Sequence, residues 1–236
     1  MSAACGLRVG LVMPARDEAP ALPRVLPFLP PWLAQVIVVD NGSSDATAAI
    51  AAELGALVVR EPRRGYGQAC LAGIAALAPE VDTVLFMDAD AADRPEDIPA
   101  ILAPIARGEA ELVIGSRRLG QAESGALTPQ QRLGNALACS LMRLIWGGRF
   151  TDLGPFRAIT RPALTRLAMR DASWGWTVEM QVRALRLGLR TAEVPVDYRR
   201  RIGVSKISGT LAGSVRAGTK ILYVIGREAL AGRRAG

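Results

Sequence analysis

A parallel, doubly wound α/β sheet is the fold this sequence predicts, and three observations predict it. Short apolar runs recur roughly every 20 to 30 residues through the first half of the chain. The runs are continuous and rich in Val, Ile and Leu, as expected of strands buried on both faces. Each is followed by a polar turn and then by a stretch with helical spacing, which is the βαβ rhythm of such sheets.

The elements follow in order. Leu7–Met13 (LRVGLVM) is the first strand, and a short helix is expected near Ala21–Leu29, although Pro23 and Pro27 fall inside it. Gln35–Asp40 (QVIVVD) is the second strand; Ser43, Ser44 or Asp45 then caps a helix. ALVVR is a third strand, and RGYGQACLAGIAALA a glycine turn entering a helix. TVLFMD is the fourth strand, after which Asp93, ahead of Pro95, reads as a helix start. ELVIGSRR is the fifth. Beyond it TPQQRLGNALACSLMRLIW predicts a long helix, and TDLGPFRAITRPALTRL a loop, short strand and helix. WTVEMQVRALRLG is a further helix, TAEVPVDY a last strand, and the remainder is basic and mostly helical.

Composition narrows the function classes. The 236 residues are 50% hydrophobic and 22% charged, enough for one globular core. Cys5, Cys70 and Cys139 are widely separated, so no disulfide framework or zinc spacing emerges and a reducing cytoplasm is expected. The absence of histidine removes His-based catalysis and the usual transition-metal sites. No apolar run approaches the roughly 20 residues that span a bilayer, so a soluble or peripheral protein is expected. The net charge of +7 is local: from Tyr198 onward nine basic residues face the single acid Glu228. Such a tail suits anionic headgroups or phosphates, or simply aids solubility. Three tyrosines and no aromatics among the arginines argue against nucleic acid.

Polar residues gather where the strands end. MPARDEAP places Pro14, Arg16, Asp17 and Glu18 after the first strand, and Asp40 ends the second. RRGYGQA brings Arg64, Gly65 and Gly67 after the third, DAD brings Asp88 and Asp90 after the fourth, and GSRR brings Arg117 and Arg118 after the fifth. Ligands of α/β sheets bind at these strand ends. Asp88 and Asp90 repel each other unless a proton or cation lies between them, and oxygen-only donors suit Mg²⁺ or Mn²⁺; the plainer alternative is a solvated turn. Acids and arginines along one sheet edge describe a site for a metal-bound nucleotide diphosphate. Neither GxGxxG nor GxxxxGK[ST] occurs in these loops, which disfavours a dinucleotide oxidoreductase and a P-loop NTPase.

The segments VMPARDEAPAL, VIVVDNGSSDAT, RGYGQACLAGI, VLFMDADAADRPEDI and LVIGSRR, in this order, resemble family 2 glycosyltransferases. TDLGPFRAI, GWTVEMQVRA and VPVDYRRRIGVSKISG resemble the polyprenyl-phosphate branch, the relatives of dolichyl-phosphate mannosyl- and glucosyltransferases. The likeness runs from about Leu7 to Ile225. It implies a nucleotide-diphospho-sugar transferase fold of the GT-A type, and an inverting transfer of a hexose from a UDP-glucose- or GDP-mannose-type donor to a polyprenyl phosphate at the cytosolic membrane face.

The resemblance also assigns residues. Pro14, Arg16, Glu18, Asp40, Gly65, Gly67 and Asp88 are expected at the nucleotide sugar, and Asp88 and Asp90 at Mg²⁺ or Mn²⁺. Arg117, Arg157, Arg201, Ser205 and Lys206 are expected at donor or acceptor phosphate, and Asp90, Glu179, Asp152 and Lys206 in catalysis. A phosphate acceptor is largely dianionic at neutral pH and attacks unaided, whereas a soluble hydroxyl acceptor would require Glu179 or Asp152 as base. A nucleotide-binding relative without turnover is a further alternative. Two departures leave the sugar open: Asp40 is followed by Asn41 rather than a second acid, and Ala91-Ala92 stand where the mannosyltransferase group commonly has Leu-Gln. The expected organisation is a catalytic domain over 1–206 and a basic amphipathic helical tail over 207–236. Its apolar residues, among them Ile207, Leu211, Val215, Ile221, Leu222, Val224 and Ile225, either lie on an anionic membrane or pack on the catalytic domain or in a homodimer.

Overall fold

The computed structural model describes residues 6–203 and 211–232, with side chains in the last segment for 218–231. Seven strands form one sheet in the order β3-β2-β1-β4-β6-β5-β7. They are β1 (Val9–Ala15), β2 (Gln35–Asp40), β3 (Leu57–Arg60), β4 (Thr83–Phe86), β5 (Leu112–Ser116), β6 (Arg157–Thr160) and β7 (Thr191–Pro195). β1 lies between β2 and β4, parallel to both, with Ala15 opposite Asp40 and Val12 opposite Phe86. β6 alone among these strands runs against its neighbours, β4 and β5. The sheet is therefore mostly parallel, as the sequence predicts, with one inserted antiparallel strand whose four residues carry no signal of direction.

Period-two alternation divides the core. Val9, Leu11 and Met13 face one side with the helices α1 (Thr47–Glu53) and α3 (Ile98–Ala106). Val12 faces the other with α2 (Tyr66–Ala75), α4 (Pro129–Trp146), α5 (Arg161–Leu167) and α6 (Trp176–Arg186). The helix expected near Ala21–Leu29 is two 3₁₀ turns, Leu22–Arg24 and Leu26–Phe28. Pro23 lies in the first turn, where a missing amide is tolerated, but Pro27 cannot donate back to the Pro23 carbonyl, so the two turns do not join into one α-helix. α4 begins with a capping box in which the Thr128 hydroxyl accepts from the Gln131 amide and the Gln131 side chain accepts from the Thr128 amide.

The last helix, α7 (Leu211–Gly232), packs alongside α4 and α6. Val224 and Ile225 are buried in the same cluster as Trp176 and Met180, so this part of the tail's apolar face is a packing surface. Ion pairs fix it: Lys220 to Asp171 at 2.8 Å, Arg227 to Glu179 at 2.8 Å, and Glu228 to Arg183 at 3.3 Å and to Arg186. Leu222 faces out.

Candidate active site

The parallel strands point their carboxyl ends to one edge of the sheet, and the order β2-β1-β4 makes the boundary between β1 and β4 its topological switch point. The loop 14–18 and the Asp88–Asp93 turn flank that point. Asp17 takes a left-handed conformation with φ 52°, held by the Ser43 hydroxyl at its amide and by the Ser44 amide at its carboxylate. The Glu18 amide donates to the Thr47 hydroxyl at 2.8 Å, and Asp40 accepts from the Ser43 amide at 3.0 Å. Pro14, Arg16, Glu18 and Asp40 thus share one wall of the cleft with the loop after β2.

Asn41, standing where a second acid is common, has its own task. Its side-chain amide donates to the Glu61 and Arg63 carbonyls, and its oxygen accepts from the Gly65 amide at 2.8 Å. A carboxylate there could not donate to those carbonyls.

Gly65 and Gly67, expected at the nucleotide sugar, lie against the 171–173 segment. Gly65 has φ 152°, and a Cβ on either residue would collide with the backbone of Ala172 or Asp171. The Gly67 amide donates to the Ser173 carbonyl and the Gln68 amide to the Ala172 carbonyl, at 3.2 and 2.9 Å. These amides at the start of α2 are taken by protein, and the two glycines admit the 171–173 backbone.

The acidic centre is tightly built. Ala91 adopts φ 62°, and the Asp90 carboxylate accepts from the Ala92 amide at 3.0 Å. The Tyr66 hydroxyl donates to Asp88 at 3.1 Å, and Arg201 pairs with Asp90. Burial, followed by the charge of Asp90, pushes the Asp88 carboxyl up to about 7. Asp93 is not the helix cap that the sequence suggests. It lies buried beneath the pair, accepts weakly from the Asp88 amide at 3.4 Å, and leaves Oδ1 without a hydrogen-bond partner. Burial and the charges of Asp88 and Asp90 hold its carboxyl well above the usual range. Asp88 and Asp90, with Asp93 behind them, are hard oxygen donors of the kind Mg²⁺ or Mn²⁺ takes, though among the described residues no three such side chains converge as a ready-made cation cage.

Opposite this centre, the Arg117 guanidinium grips Asp152 with two parallel bonds of 2.7 Å and stacks 5.0 Å from the Tyr198 ring centroid. Burial opposes charge on Asp152, but the bonds from Arg117 outweigh it and hold the carboxyl below the usual range. Asp152 is therefore the counterion of Arg117. Glu179 is likewise engaged. Wholly buried, it accepts from the Arg170 and Asp171 amides at 3.0 and 2.7 Å and pairs with Arg227 and Arg183. Both acids expected as bases for a hydroxyl acceptor are thus held by guanidiniums in this structure. Arg157, expected at a phosphate, is fully buried; it donates to the Leu153, Gly154 and Thr177 carbonyls, and burial lowers it to about 10. It ties the 153–154 loop to the start of α6. Ser205 and Lys206 lie outside the described residues.

Tyr66, Asn41, Asp93 and Tyr198 are the residues that the sequence did not assign to the site. Tyr66 carried a signal, lying between the two glycines that open α2 just as the DAD turn follows β4.

The chain belongs to glycosyl transferase family 2, whose family model matches residues 11–170. It is a glycosyltransferase with the GT-A type of fold. It is 38% identical over 214 residues to an uncharacterized glycosyltransferase of Mycobacterium tuberculosis, across 90% of this chain and 95% of that one. It is 31% identical to the undecaprenyl-phosphate mannosyltransferase of Micrococcus luteus, across 88% and 90% of the two chains. Among solved structures, glucosyl-3-phosphoglycerate synthase from Mycobacterium tuberculosis, in complex with Mn²⁺, UDP and glucosyl-3-phosphoglycerate, matches with a TM-score of 0.77. That match is 26% identical and covers 95% of this chain and 82% of the other.

Proposed function

We propose that the protein transfers a hexose from a nucleotide sugar to a polyprenyl phosphate, with inversion and with Mg²⁺ or Mn²⁺, at the cytosolic membrane face. The observation that carries the reading is the state of the two candidate bases. Asp152 is locked to Arg117 and Glu179 is buried among amides and guanidiniums. An acceptor that needs no base is the one this site suits. A phosphate monoester, with its second pKa near 6, is largely dianionic at about pH 7. The undecaprenyl-phosphate mannosyltransferase among the relatives supports the same acceptor class.

In this reading an acceptor phosphate oxygen forms the new bond to the anomeric carbon as the bond to the nucleotide diphosphate breaks. The electron pair leaves on the diphosphate, and no proton is transferred. Asp88 and Asp90 would hold the cation, which supplies Lewis-acid stabilisation of the diphosphate charge. Arg117 and Arg201 contribute fixed positive charge at the two phosphates, and Arg16, Glu18 and Asp40 seat the nucleoside. A second reading, a soluble acceptor, is favoured by the structural likeness to glucosyl-3-phosphoglycerate synthase. Release of nucleotide diphosphate that depends on a polyprenyl phosphate, and not on phosphoglycerate, separates the two; the opposite dependence overturns the proposal.

A further inference from the structure

Of twelve large apolar side chains that are exposed among the described residues, seven lie on α4 and α7. On α4, Leu133, Leu137 and Leu144 recur at i, i+4 and i+11, one stripe of the helix, and Ile145 adjoins it. Leu144 is 81% and Leu133 72% exposed. On α7, Leu222, Tyr223 and Leu230 face out, the last two at 60% and 65%. The two helices pack against each other. These residues are not the face that holds α7 to the body, which is Val224 and Ile225.

Charge on the same helices has one sign. No acid occurs between Thr128 and Arg149, whereas Arg132, Arg143 and Arg149 are exposed. On α7 the one acid, Glu228, is buried against Arg183, Arg186 and Arg227; Lys220 and Arg227 are themselves paired with the body, so the cations at the rim of the stripe are those of α4 and its C-terminal loop. An exposed leucine stripe rimmed by cations and free of acids is complementary to an anionic lipid surface: apolar side chains enter the interface and the cations meet headgroups. α4 is also joined to the site. The Asn135 side chain donates to the Thr151 carbonyl and accepts from the Leu153 amide, at 3.0 and 2.7 Å, bracketing Asp152, the partner of Arg117.

We propose that the outward faces of α4 and α7 are the surface by which this protein sits on an anionic bilayer, with α4 carrying the main apolar contact. The placement rests on the polyprenyl-phosphate reading for its purpose, since it presents the Arg117 side of the cleft to a lipid-borne phosphate. It is tested by a separate property, vesicle binding.

The experiment is co-sedimentation of the full chain with phosphatidylcholine vesicles, with and without phosphatidylglycerol, comparing wild type with the double variant Leu137→Glu/Leu144→Glu. Wild type is expected to bind the anionic vesicles, more weakly as salt rises. The double variant should keep the wild-type melting temperature, because both side chains are exposed, and should bind at least about tenfold more weakly. Equal binding by the two proteins overturns the proposal. So does a wild type that ignores vesicles and elutes as a dimer that the double variant dissociates, which would make the stripe a self-association face. A short, water-soluble polyprenyl phosphate keeps the two ideas apart: the variant should use it as wild type does and lose turnover only on vesicle-borne acceptor. If no lipid phosphate supports turnover while vesicle binding responds to the variant as stated, the acceptor reading fails and the surface stands.

Discussion

Replacing Glu179 by glutamine separates a structural pin from a catalytic base. The carboxylate is fully buried and takes four contacts: amides of Arg170 and Asp171 at 3.0 and 2.7 Å, and guanidiniums of Arg227 and Arg183 at 2.8 and 3.2 Å. The amide oxygen of glutamine keeps the backbone contacts but turns an NH₂ group toward two cations. Breaking one side of a buried pair costs about 3–5 kcal/mol. The lower end applies because both arginines retain Glu228, at 2.9 and 3.3 Å. At roughly 2–4 °C per kcal/mol for a chain of this size, the melting temperature should fall by roughly 6–12 °C. Differential scanning calorimetry reads this directly. Turnover, assayed well below the transition, should change little and keep its pH profile. An unchanged melting temperature with a loss of kcat of about 10²–10⁴, the range for removing a general base, would refute the reasoning and restore Glu179 to the chemistry.

Other consequences follow from the same geometry. Asp88 is raised to about 7 from 3.8, so its contribution to stability is complete below about pH 4 and lost as pH rises through about 7. With no histidine in the chain, the metal-free protein should melt at a lower temperature at pH 8 than at pH 6, and Mn²⁺ should remove the difference; a melting temperature that rises over this interval contradicts the assignment. Gly67→Ala drives a Cβ into the Asp171 carbonyl and should destabilise by about 1–3 kcal/mol or more, as overpacking does, measured by urea unfolding. Arg201→Met removes the cation paired with Asp90. At pH 8 and without nucleotide it should bind Mn²⁺ more tightly, by electron paramagnetic resonance, while turnover falls; weaker Mn²⁺ binding would place Arg201 among the groups that build the metal site.

The strands were legible because burial on both faces demands unbroken apolar runs, and Gln35–Asp40 is strand β2 to the residue. The direction of β6 was not, since four residues paired to β4 and β5 look alike in either sense. At the candidate site, Asp88, Asp90 and Arg117 stand out in the sequence because a charge at the end of a buried strand is costly unless an ion, a ligand or a counter-charge meets it; Arg201, which pairs with Asp90, is suggested only by the family resemblance. The sequence does not reveal that the charges of Arg157 and Glu179 are met by carbonyls and arginines brought from distant segments, Thr177 and Arg227 among them. Pairings over such separations leave no local pattern. Asp93 was misread for the opposite reason: the Pro95, Glu96 and Asp97 that follow it imitate a helix start so well that its burial under Asp88 was hidden.

The central claim is that the acceptor is a phosphate that attacks without a base. The measurement that tests it most directly is release of nucleotide diphosphate from a panel of nucleotide sugars with Mn²⁺, with and without a short-chain polyprenyl phosphate. Release that requires the lipid phosphate, and whose product carries the sugar on that phosphate with inverted configuration, is the predicted result. Release driven by a hydroxyl acceptor, with no response to the lipid phosphate, would contradict it.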